Sequence, residues 1–328
     1  MPKVSVVLPN YNYARYLDER IQSILNQSYE DFELIIVDDA SKDNSLEVIE
    51  KYTQDKRVRT KFFGQNSGLP YKRWNDGYEL ATGKYVLFAG ADDSCAPTFI
   101  ETLVEKLDKN PSVGIAYAQS WEINSDGQRV RSFKQFTDDL DEKKWGSDYV
   151  NDGRDECRYM IVKNTIPNAS AALIRCDKFE EAGKFDESLE LIADWILYLK
   201  LFLISDVAYV AEPLNYFRVH PQTVRSKTKK DGRHILEIVK LFELLPEDVN
   251  IPQPFIEKAH DRMANRWVNS IERLLISNPG KVTQRFQEIH AAISRVDPKI
   301  NRRLLKRALR DIFTFGLLTY RDVFVLRR

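Results

Sequence analysis

The stretch YVLFAGADD (Tyr85–Asp93) leads an apolar run directly into two adjacent carboxylates. A short apolar run that is closed by a turn is typical of a buried strand. Asp92 and Asp93 then fall at the carboxyl end of that strand, which is the edge of an open α/β sheet where ligands bind. Two hard oxygen ligands at this edge suit Mg²⁺ or Mn²⁺ carrying substrate phosphates. Adjacent aspartates are also common in loops and helix caps, so the pair needs support from the rest of the chain.

Three earlier segments show the same order of a strand followed by polar residues. Val4–Leu8, Phe32–Val37 and Val58–Phe63 are strand-like, and stretches with a helical spacing of apolar residues separate them. Because a regular alternation of strands and helices produces parallel strands with crossover helices, we predict an α/β fold. Its centre is a Rossmann-like, mainly parallel sheet that is flanked by helices on both faces.

The second half of the chain is less regular. Further strands are predicted at Gly114–Ala118, Ala171–Ile174 and Tyr209–Val219. The turn signal Asn124–Gly127 predicts a hairpin, and the polar, acidic stretch 132–155 predicts a long loop. From about Asp231 onward the pattern is helical, which predicts a helical C-terminal extension.

The bulk composition is that of a neutral globular protein. Among 328 residues, 49 are Lys or Arg and 49 are Asp or Glu, so no overall positive field points to nucleic acid as a partner. The three cysteines lack C-x-x-C spacing, which argues against a disulfide scaffold and a zinc site. The chain runs into Val4–Leu8 without a signal-peptide pattern, and we predict a cytoplasmic protein.

Polar clusters follow each of the four predicted N-terminal strands. They are Pro9-Asn10-Tyr11-Asn12, Asp38-Asp39, Asn66-Ser67-Gly68 and Asp92-Asp93. Since the carboxyl ends of parallel strands meet at one edge, we expect these clusters to form one site. Tyr11 offers a ring for stacking on a base, and Asp39 an acceptor for the imide N–H of uracil or thymine. The structural alternatives are a packing role for Tyr11 and a turn or cap at Asp38-Asp39.

Several other catalytic motifs are missing from the sequence. No G-x-G-x-x-G follows the first strand, so the dinucleotide-binding fingerprint fails. The Gly-Lys pairs that begin at Gly83, Gly183 and Gly280 are never followed by Ser or Thr, which excludes a P-loop. No G-x-S-x-G is present, and the histidines and cysteines form no zinc-binding cluster.

In their order, these clusters resemble the motifs of the inverting family 2 glycosyltransferases of GT-A fold. The resemblance covers about residues 3–220 and rests on Pro9–Asn12, Val37–Ser41, Asp92-Asp93, Gly183–Glu187 and Ala193–Trp195. It implies a catalytic domain over 1–225 that binds a nucleotide sugar, usually a UDP-sugar. The helical region over 226–328 would then serve packing, oligomerisation or contact with a membrane surface.

The resemblance, together with the clusters, implies site residues. The nucleotide-binding residues are Pro9, Tyr11, Asp39, Asn66, Arg73 and Asp92. The metal ligands are Asp93 and Asp92, which correspond to a D-x-D-type site for Mn²⁺ or Mg²⁺ and the ribose, and the sequence does not decide between them. The candidate phosphate contacts are Lys72, Arg218 and His220. An ordinary surface or core histidine is the alternative for His220.

Asp194 stands where this family keeps its catalytic base. An acceptor hydroxyl is a poor nucleophile at neutral pH, so a carboxylate must take its proton as it attacks the anomeric carbon. The alternative interpretation of Asp194 is an N-cap of the following helix. Two positions depart from the family pattern, because Gly90 and Ala193 stand where the family commonly has acids. The first departure bears on metal affinity and the second on acceptor choice.

The C-terminal segment 299–328 is strongly basic. It has nine Lys or Arg and two Asp, a net charge of 9 − 2 = +7. One helical face is apolar and the basic residues lie mostly opposite to it; the apolar residues are Leu304, Leu305, Ala308, Leu309, Ile312 and Phe313. Such a helix can lie on an anionic membrane surface, here the inner face of the membrane. The alternative is a helix that packs on the catalytic domain or on a second copy in a homo-oligomer.

We therefore predict a metal-dependent inverting glycosyltransferase that moves a sugar from a nucleotide diphosphate to an acceptor hydroxyl. The acceptor is a saccharide or lipid-linked saccharide of polysaccharide or glycolipid synthesis. One alternative is a nucleotidyltransferase, which needs a Gly-rich loop after the first strand, where Pro9–Arg15 has no glycine. The other is a non-catalytic sugar-nucleotide-binding or scaffold protein of the same fold.

Overall fold

The computed structural model describes residues 1–220, 232–277 and 279–313. They form two compact units, which are described separately here. The first unit consists of 1–160 and 164–220, and the second of 161–163 and the described residues from 232 onward.

The first unit alternates strands and helices as predicted. Its strands are β1 (Val4–Asn10), β2 (Phe32–Asp38), β3 (Val58–Phe62), β4 (Tyr85–Phe88), β5 (Ser94–Cys95), β6 (Val113–Ile123), β7 (Arg129–Ser132), β8 (Tyr149–Asn151), β9 (Ala172–Arg175) and β10 (Asp206–Arg218). Its helices are α1 (Ala14–Leu25), α2 (Ser45–Glu50), α3 (Pro70–Tyr78), α4 (Phe99–Lys109), α5 (Lys134–Thr137), α6 (Gly153–Met160), α7 (Cys176–Glu181) and α8 (Ala193–Ile204). Short 3₁₀ turns lie at Lys144–Gly146 and Ala169–Ala171.

These strands form one sheet in the order β3-β2-β1-β4-β9-β6-β10-β5, with β7 paired to β6 and β8 to β10. The strands β1, β2, β3, β4, β6 and β10 run in one direction, and β5, β7, β8 and β9 run against them. The predicted α/β class with a mainly parallel sheet is thereby confirmed. The registers Asn10↔Asp38 and Val7↔Phe88 align the carboxyl ends of β1, β2 and β4.

Helices cover both faces of the sheet, which is why β1 and β2 are buried almost throughout. On one face, Val6 of β1 packs in a core with Leu17 and Ile21 of α1. On the other face, α3 approaches closely at Gly77, where an added Cβ would lie 2.4 Å from a Val7 methyl. The glycine therefore sets the distance between α3 and the sheet.

The predicted long loop over 132–155 is wrong. This segment contains α5, the turn at Lys144–Gly146, strand β8 and the start of α6. The reason is that Trp145 is buried in this segment: its indole N–H donates to the Tyr117 hydroxyl at 3.1 Å, and the Tyr149 hydroxyl lies 2.7 Å from the same group. These aromatic contacts cannot be predicted from the polar, acidic composition of the segment.

The second unit is helical, as the pattern after residue 231 predicts. Its helices are α9 (Arg233–Glu243), α10 (Gln253–Ser277), α11 (Val282–Val296) and α12 (Ile300–Phe313), with a 3₁₀ turn at Pro279–Lys281. Within the described ranges, none of the helices combines the length and the apolar character that crossing a membrane requires.

The predicted arrangement of apolar and basic faces on α12 is wrong in the described part. Leu305 and Leu309 are 60% and 45% exposed, whereas Arg307 is buried with its guanidinium beside Asn265 and Asn269 of α10. Arg303 is likewise held by carboxylates, which makes basic residues part of the packing surface. The geometry favours packing of this helix over contact with a membrane surface; residues 314–328 of the predicted basic segment lie outside the described residues.

Arg303 belongs to a buried ionic cluster in this unit. Its Nε donates to the buried Asp297 carboxylate at 2.8 Å, and its other nitrogens reach Glu257 and Asp261. His260 lies beside the same group, with Nδ1 3.5 Å from Asp297 Oδ1. Burial lowers the pKa of His260 below its ordinary value, although Asp297 opposes this shift.

We expect the second unit to lose stability as the pH falls, because of His260. The unfolded chain binds a proton near pH 6.5, roughly the ordinary histidine pKa, and the folded unit resists it. The His260 contribution is therefore fully present above that pH and decreases below it. Urea unfolding monitored by Trp267 fluorescence should show a smaller pH slope for His260→Gln than for the wild type. His290→Gln is the control, since His290 is partly exposed and bonds Asn301 at 2.8 Å; equal slopes for wild type and His260→Gln would contradict the prediction.

Candidate functional site

Hydrogen bonds join the segments that follow β1 and β2 at the carboxyl edge of the sheet. Asn10, at the end of β1, donates from its side chain to Asp38 Oδ2 at 2.7 Å and to the Ser41 hydroxyl at 3.0 Å. The Asn12 side-chain oxygen accepts from the Lys42 backbone N–H at 2.7 Å. Asn12 and Ala40 have φ values of 60° and 61°, in the left-handed region that non-glycine residues rarely adopt. Strained backbone of this kind is concentrated at functional sites.

Asp39 is buried next to these loops and is held by groups from two other elements. Its carboxylate accepts from the Ser67 backbone N–H at 3.0 Å and from the Ser67 hydroxyl at 2.8 Å. Arg73 of α3 donates to it from Nε, and the Arg73 guanidinium lies 3.6 Å above the ring of Phe63. The Asn66 amide donates to the Asp39 carbonyl at 3.3 Å. The structure therefore brings together the predicted nucleotide residues Asp39, Asn66 and Arg73.

Removal of the Asp39 carboxylate should destabilise the first unit strongly. Asp39→Ala leaves the buried Arg73 guanidinium and the Ser67 donors without this acceptor, which costs about 3 kcal/mol. Asp76→Ala is the matched control, because Asp76 also pairs with Arg73 but is partly exposed; we expect it to cost below about 1 kcal/mol. Denaturant unfolding of both variants measures the difference, and similar losses would show that Arg73 does not depend on Asp39.

Asp93 is buried and its two carboxylate oxygens are occupied. Oδ2 accepts from the Asn168 amide and from the Ser170 hydroxyl, both at 2.6 Å, and Oδ1 accepts from the Arg218 backbone N–H at 3.0 Å. Burial and the adjacent Asp92 charge raise the pKa of Asp93 well above its ordinary value. Asp93 thus joins β10, the segment before β9 and the loop after β4.

Asp92 is the more accessible member of the pair. Its side chain is 19% exposed, and its Oδ2 lies 3.0 Å from Nε2 of His220. The His220 ring packs against Tyr16 and Tyr13, with centroids 5.1 and 5.9 Å away. A carboxylate and an imidazole, both common metal ligands, therefore face each other. In the part of the chain that the structure describes, no group of three or more His, Cys, Asp or Glu is arranged to hold a metal.

Of the other predicted phosphate contacts, Arg218 is used inside the protein. Its Nε donates to the Asp92 carbonyl at 2.6 Å, Nη1 to the Asn124 carbonyl at 3.1 Å, and Nη2 pairs with Glu19 of α1 at 2.6 Å. This geometry gives Arg218 a positioning role beside Asp92 and does not favour contact with a phosphate. Lys72 is more exposed and lies 3.2 Å from Asp76.

The remaining predicted residues occupy the expected elements. Pro9 pairs with Val37 in the sheet, and Tyr11 follows β1 with 39% of its surface exposed. Asp194 is in the first turn of α8, where its Oδ1 accepts from the Trp195 backbone N–H at 2.8 Å. The N-cap of this helix is Ile192 and Asp194 is its second helical residue, so the alternative interpretation of Asp194 as the N-cap is wrong.

The surroundings of Gly90 and Ala193 disfavour an acidic side chain at each of these two departures from the family pattern. A Cβ on Gly90 would lie 2.7 Å from Asp93 Oδ2 and 3.2 Å from the Ser170 hydroxyl, so no acidic side chain fits there. Ala193 is 1% exposed, and a carboxylate at this position would be buried.

Asn168 and Ser170 are site residues that the sequence analysis missed. Besides Asp93, Ser170 binds the Gly90 backbone N–H at 2.8 Å, and Asn168 accepts from Asn215 at 3.0 Å. They precede β9, which runs antiparallel to β4, so the beginning of this strand lies at the edge where the parallel strands end. A search for polar residues after strands therefore overlooks them, whereas polar residues before an apolar strand are the signal to look for.

The mainly parallel sheet with its flanking helices has the GT-A fold. Residues 5–166 match the family described as glycosyl transferase family 2. The domain that these residues form belongs to that family.

Two relatives illustrate the range of sequence similarity. An uncharacterized glycosyltransferase of Haemophilus influenzae is 25% identical over 324 residues, which are 95% of this chain and 98% of the relative. TuaG of Bacillus subtilis, whose name links it to teichuronic acid biosynthesis, is 36% identical over 105 residues, 32% of this chain and 41% of TuaG. The chain spans only 36% to 41% of the length of several curated relatives that it matches over short stretches.

Solved structures agree on the fold. TarS 1-349 of Staphylococcus aureus, in complex with UDP-GlcNAc, has a TM-score of 0.69 at 17% identity, covering 96% of this chain and 92% of TarS 1-349. The mannosyltransferase PcManGT of Pyrobaculum calidifontis, in complex with GDP-Man and Mn²⁺, has a TM-score of 0.58 at 15% identity, covering 95% and 88%.

Proposed function

We propose that this protein transfers a sugar from a UDP-sugar to an acceptor hydroxyl, with inversion at the anomeric carbon, in polysaccharide or glycolipid synthesis. The observation that carries the proposal is the sheet edge itself. There, Asp39 with its Arg73 and Ser67 partners lies on the aligned strands that also lead to the acidic pair. We further propose that residues 1–225 are the catalytic domain and that the helical remainder packs or oligomerises.

The nucleotide half of the site is formed by β1, β2 and the loop after β3. The exposed Tyr11 ring is available to stack on a uracil base. The Asp39 carboxylate is fixed in place by Arg73 and Ser67, so its orientation is set before the nucleotide arrives. A fixed acceptor suits the imide N–H of a uracil base, which supports UDP as the donor nucleotide.

The residues around Asp92 suit a divalent cation. The partly exposed Asp92 carboxylate and the His220 imidazole would hold Mn²⁺ or Mg²⁺, and the three donors to Asp93 fix the loop that carries them. The complex of PcManGT contains Mn²⁺. When bound, such a cation neutralises the charge that develops on the leaving diphosphate.

Asp194 would act as the general base. As the acceptor oxygen attacks the anomeric carbon, its proton passes to the Asp194 carboxylate, and the bond from that carbon to the diphosphate breaks with both electrons remaining on the phosphate oxygen. Attack in line with the departing group inverts the configuration. The backbone contact with Trp195 holds the carboxylate in a defined orientation.

Calorimetric titration with UDP, dTDP and GDP, each with and without Mn²⁺, tests the proposal. We expect UDP to bind in a Mn²⁺-dependent manner and GDP to bind at least about tenfold more weakly, a difference of about 1.4 kcal/mol. If no diphosphate binds, the donor assignment is wrong. Binding that is equal with and without Mn²⁺ would contradict the metal site.

A further inference from the structure

Arg129 of β7 lies over two aromatic rings. Its guanidinium carbon lies 5.3 Å from the ring centre of Trp121 and 5.4 Å from that of Tyr216, and Nη2 donates to the Tyr216 hydroxyl at 3.3 Å. Trp121 and Tyr216 are register partners on the parallel strands β6 and β10. Contact with two rings restricts the rotamers of an otherwise flexible, exposed side chain, so the fork of N–H donors is oriented in advance.

Arg129 differs from neighbouring arginines in its partners. Arg131, two residues further along β7, donates twice to Glu122, at 2.9 and 2.8 Å. Arg15 of α1 pairs with Asp126 in the hairpin turn at 3.3 Å. Across residues 1–220, 232–277 and 279–313, no carboxylate forms an ion pair with Arg129. Among the described residues, the positive charge of Arg129 is therefore not paired with an acid.

The position of Arg129 relates it to the acidic pair. Tyr216, which it contacts, is the register partner of Ser94, the residue that directly follows Asp93. In addition, Arg218 joins the hairpin turn to the acidic loop, because it donates to the carbonyls of both Asn124 and Asp92. The β6–β7 hairpin that carries Arg129 is therefore anchored beside the loop where the proposed reaction takes place.

We propose that Arg129 binds an anionic group, a carboxylate or a phosphate, on the acceptor saccharide. This inference rests on the proposed function and names the acceptor class. A planar guanidinium binds either anion through two parallel hydrogen bonds, which a lysine at this position could not do. A negatively charged acceptor is repelled by Asp92 and Asp93, and a fixed cation beside them offsets that repulsion.

The test uses the full chain, saturated with UDP and Mn²⁺ so that the donor site is filled. Methyl glucuronide and glucose 1-phosphate serve as the carboxylate and phosphate probes. Binding is followed through the indole N–H resonance of Trp121, which is distinguished from the other four tryptophans by a Trp121→Phe variant. The wild type, Arg129→Gln and the matched control Arg131→Gln are titrated in parallel.

We expect at least one probe to shift the Trp121 resonance in the wild type and in Arg131→Gln. In Arg129→Gln its affinity should fall about tenfold or more, the loss of a charge-assisted pair of hydrogen bonds. The probe that binds identifies the anion as a carboxylate or a phosphate. The proposal is overturned if neither probe binds the wild type, or if Arg129→Gln binds as well as the wild type.

UDP binding separates this inference from the proposed function. Arg129→Gln should bind UDP as the wild type does, and a weaker affinity would make Arg129 a donor contact and overturn the acceptor assignment. Failure of the wild type to bind UDP would contradict the proposed function alone. The probe titrations are therefore repeated without nucleotide, where the comparison of Arg129→Gln with Arg131→Gln still decides the role of Arg129.

Discussion

Asp194→Asn is expected to lower the rate of sugar transfer about a thousandfold while the affinity for UDP stays unchanged. In the wild type, Asp194 Oδ1 accepts from the Trp195 backbone N–H at 2.8 Å. The asparagine keeps an oxygen that can accept the same hydrogen bond, so the first turn of α8 stays intact. It cannot accept the proton of the acceptor hydroxyl, and that step alone is lost. Release of UDP from the UDP-sugar, measured with and without acceptor, gives the rate, and calorimetry gives the affinity.

Asp177→Asn is the matched control for this variant. Asp177 is the second residue of α7, as Asp194 is of α8, and its Oδ1 accepts from the next backbone N–H at 2.9 Å. Both substitutions therefore change a first-turn aspartate with the same local hydrogen bond. Transfer at the wild-type rate in Asp194→Asn would show that this carboxylate is not the base. A reduced rate in both variants would indicate a general effect on the fold.

Asp93→Ala is expected to remove Mn²⁺-dependent UDP binding and to destabilise the first unit by about 3 kcal/mol. The substitution leaves the Asn168 amide, the Ser170 hydroxyl and the Arg218 backbone N–H without their common acceptor. Because these donors come from different parts of the chain, the loop that carries Asp92 loses its fixed position. Metal affinity at Asp92 should fall by 10- to 100-fold, roughly the loss found when groups that orient metal ligands are removed.

Asp55→Ala is a control that removes an aspartate with several hydrogen bonds far from the acidic pair. Asp55 accepts from the backbone and guanidinium of Arg57 and lies before β3, at the opposite end of the sheet from the acidic pair. The Asp55→Ala variant should be less stable than the wild type but bind UDP with the same affinity. Asp93→Asn adds a second comparison, because it keeps the size of the side chain but not its charge. If Asp93→Ala binds UDP with the same metal dependence as the wild type, Asp93 has no part in the metal site.

The parallel half of the sheet could be predicted from the sequence because its determinants are local. β1, β2 and β4 are predominantly apolar runs followed by polar residues, and one helix separates each strand from the next between β1 and β4. The same rule placed Asp39 and Asp92 at one edge of the sheet. Their burial and hydrogen bonds depend on contacts between distant segments, and these could not be predicted.

The predictions that were wrong or missed share one physical cause: the residues involved are far apart in the sequence but neighbours in the fold. Asn168 and Ser170 lie beside Asp93 because β9 enters the sheet in the opposite direction. The segment 132–155 is ordered because Trp145 and Tyr149 both bond to the Tyr117 hydroxyl. Tyr117 lies on β6, which β10 separates from β8 in the sheet. On α12, a basic residue such as Arg303 is buried because carboxylates of α10 face it, so charge alone does not identify the exposed face.

The insertion of β9 between β4 and β6 also constrains how the protein is made. Until residues 172–175 leave the ribosome, the strands β4 and β6 each have an unpaired edge, the kind of surface on which chains aggregate. A fragment that stops at residue 166, where the family match ends, would keep both open edges and lack Asn168 and Ser170. Truncated versions for expression should therefore extend at least through Arg218, where β10 ends.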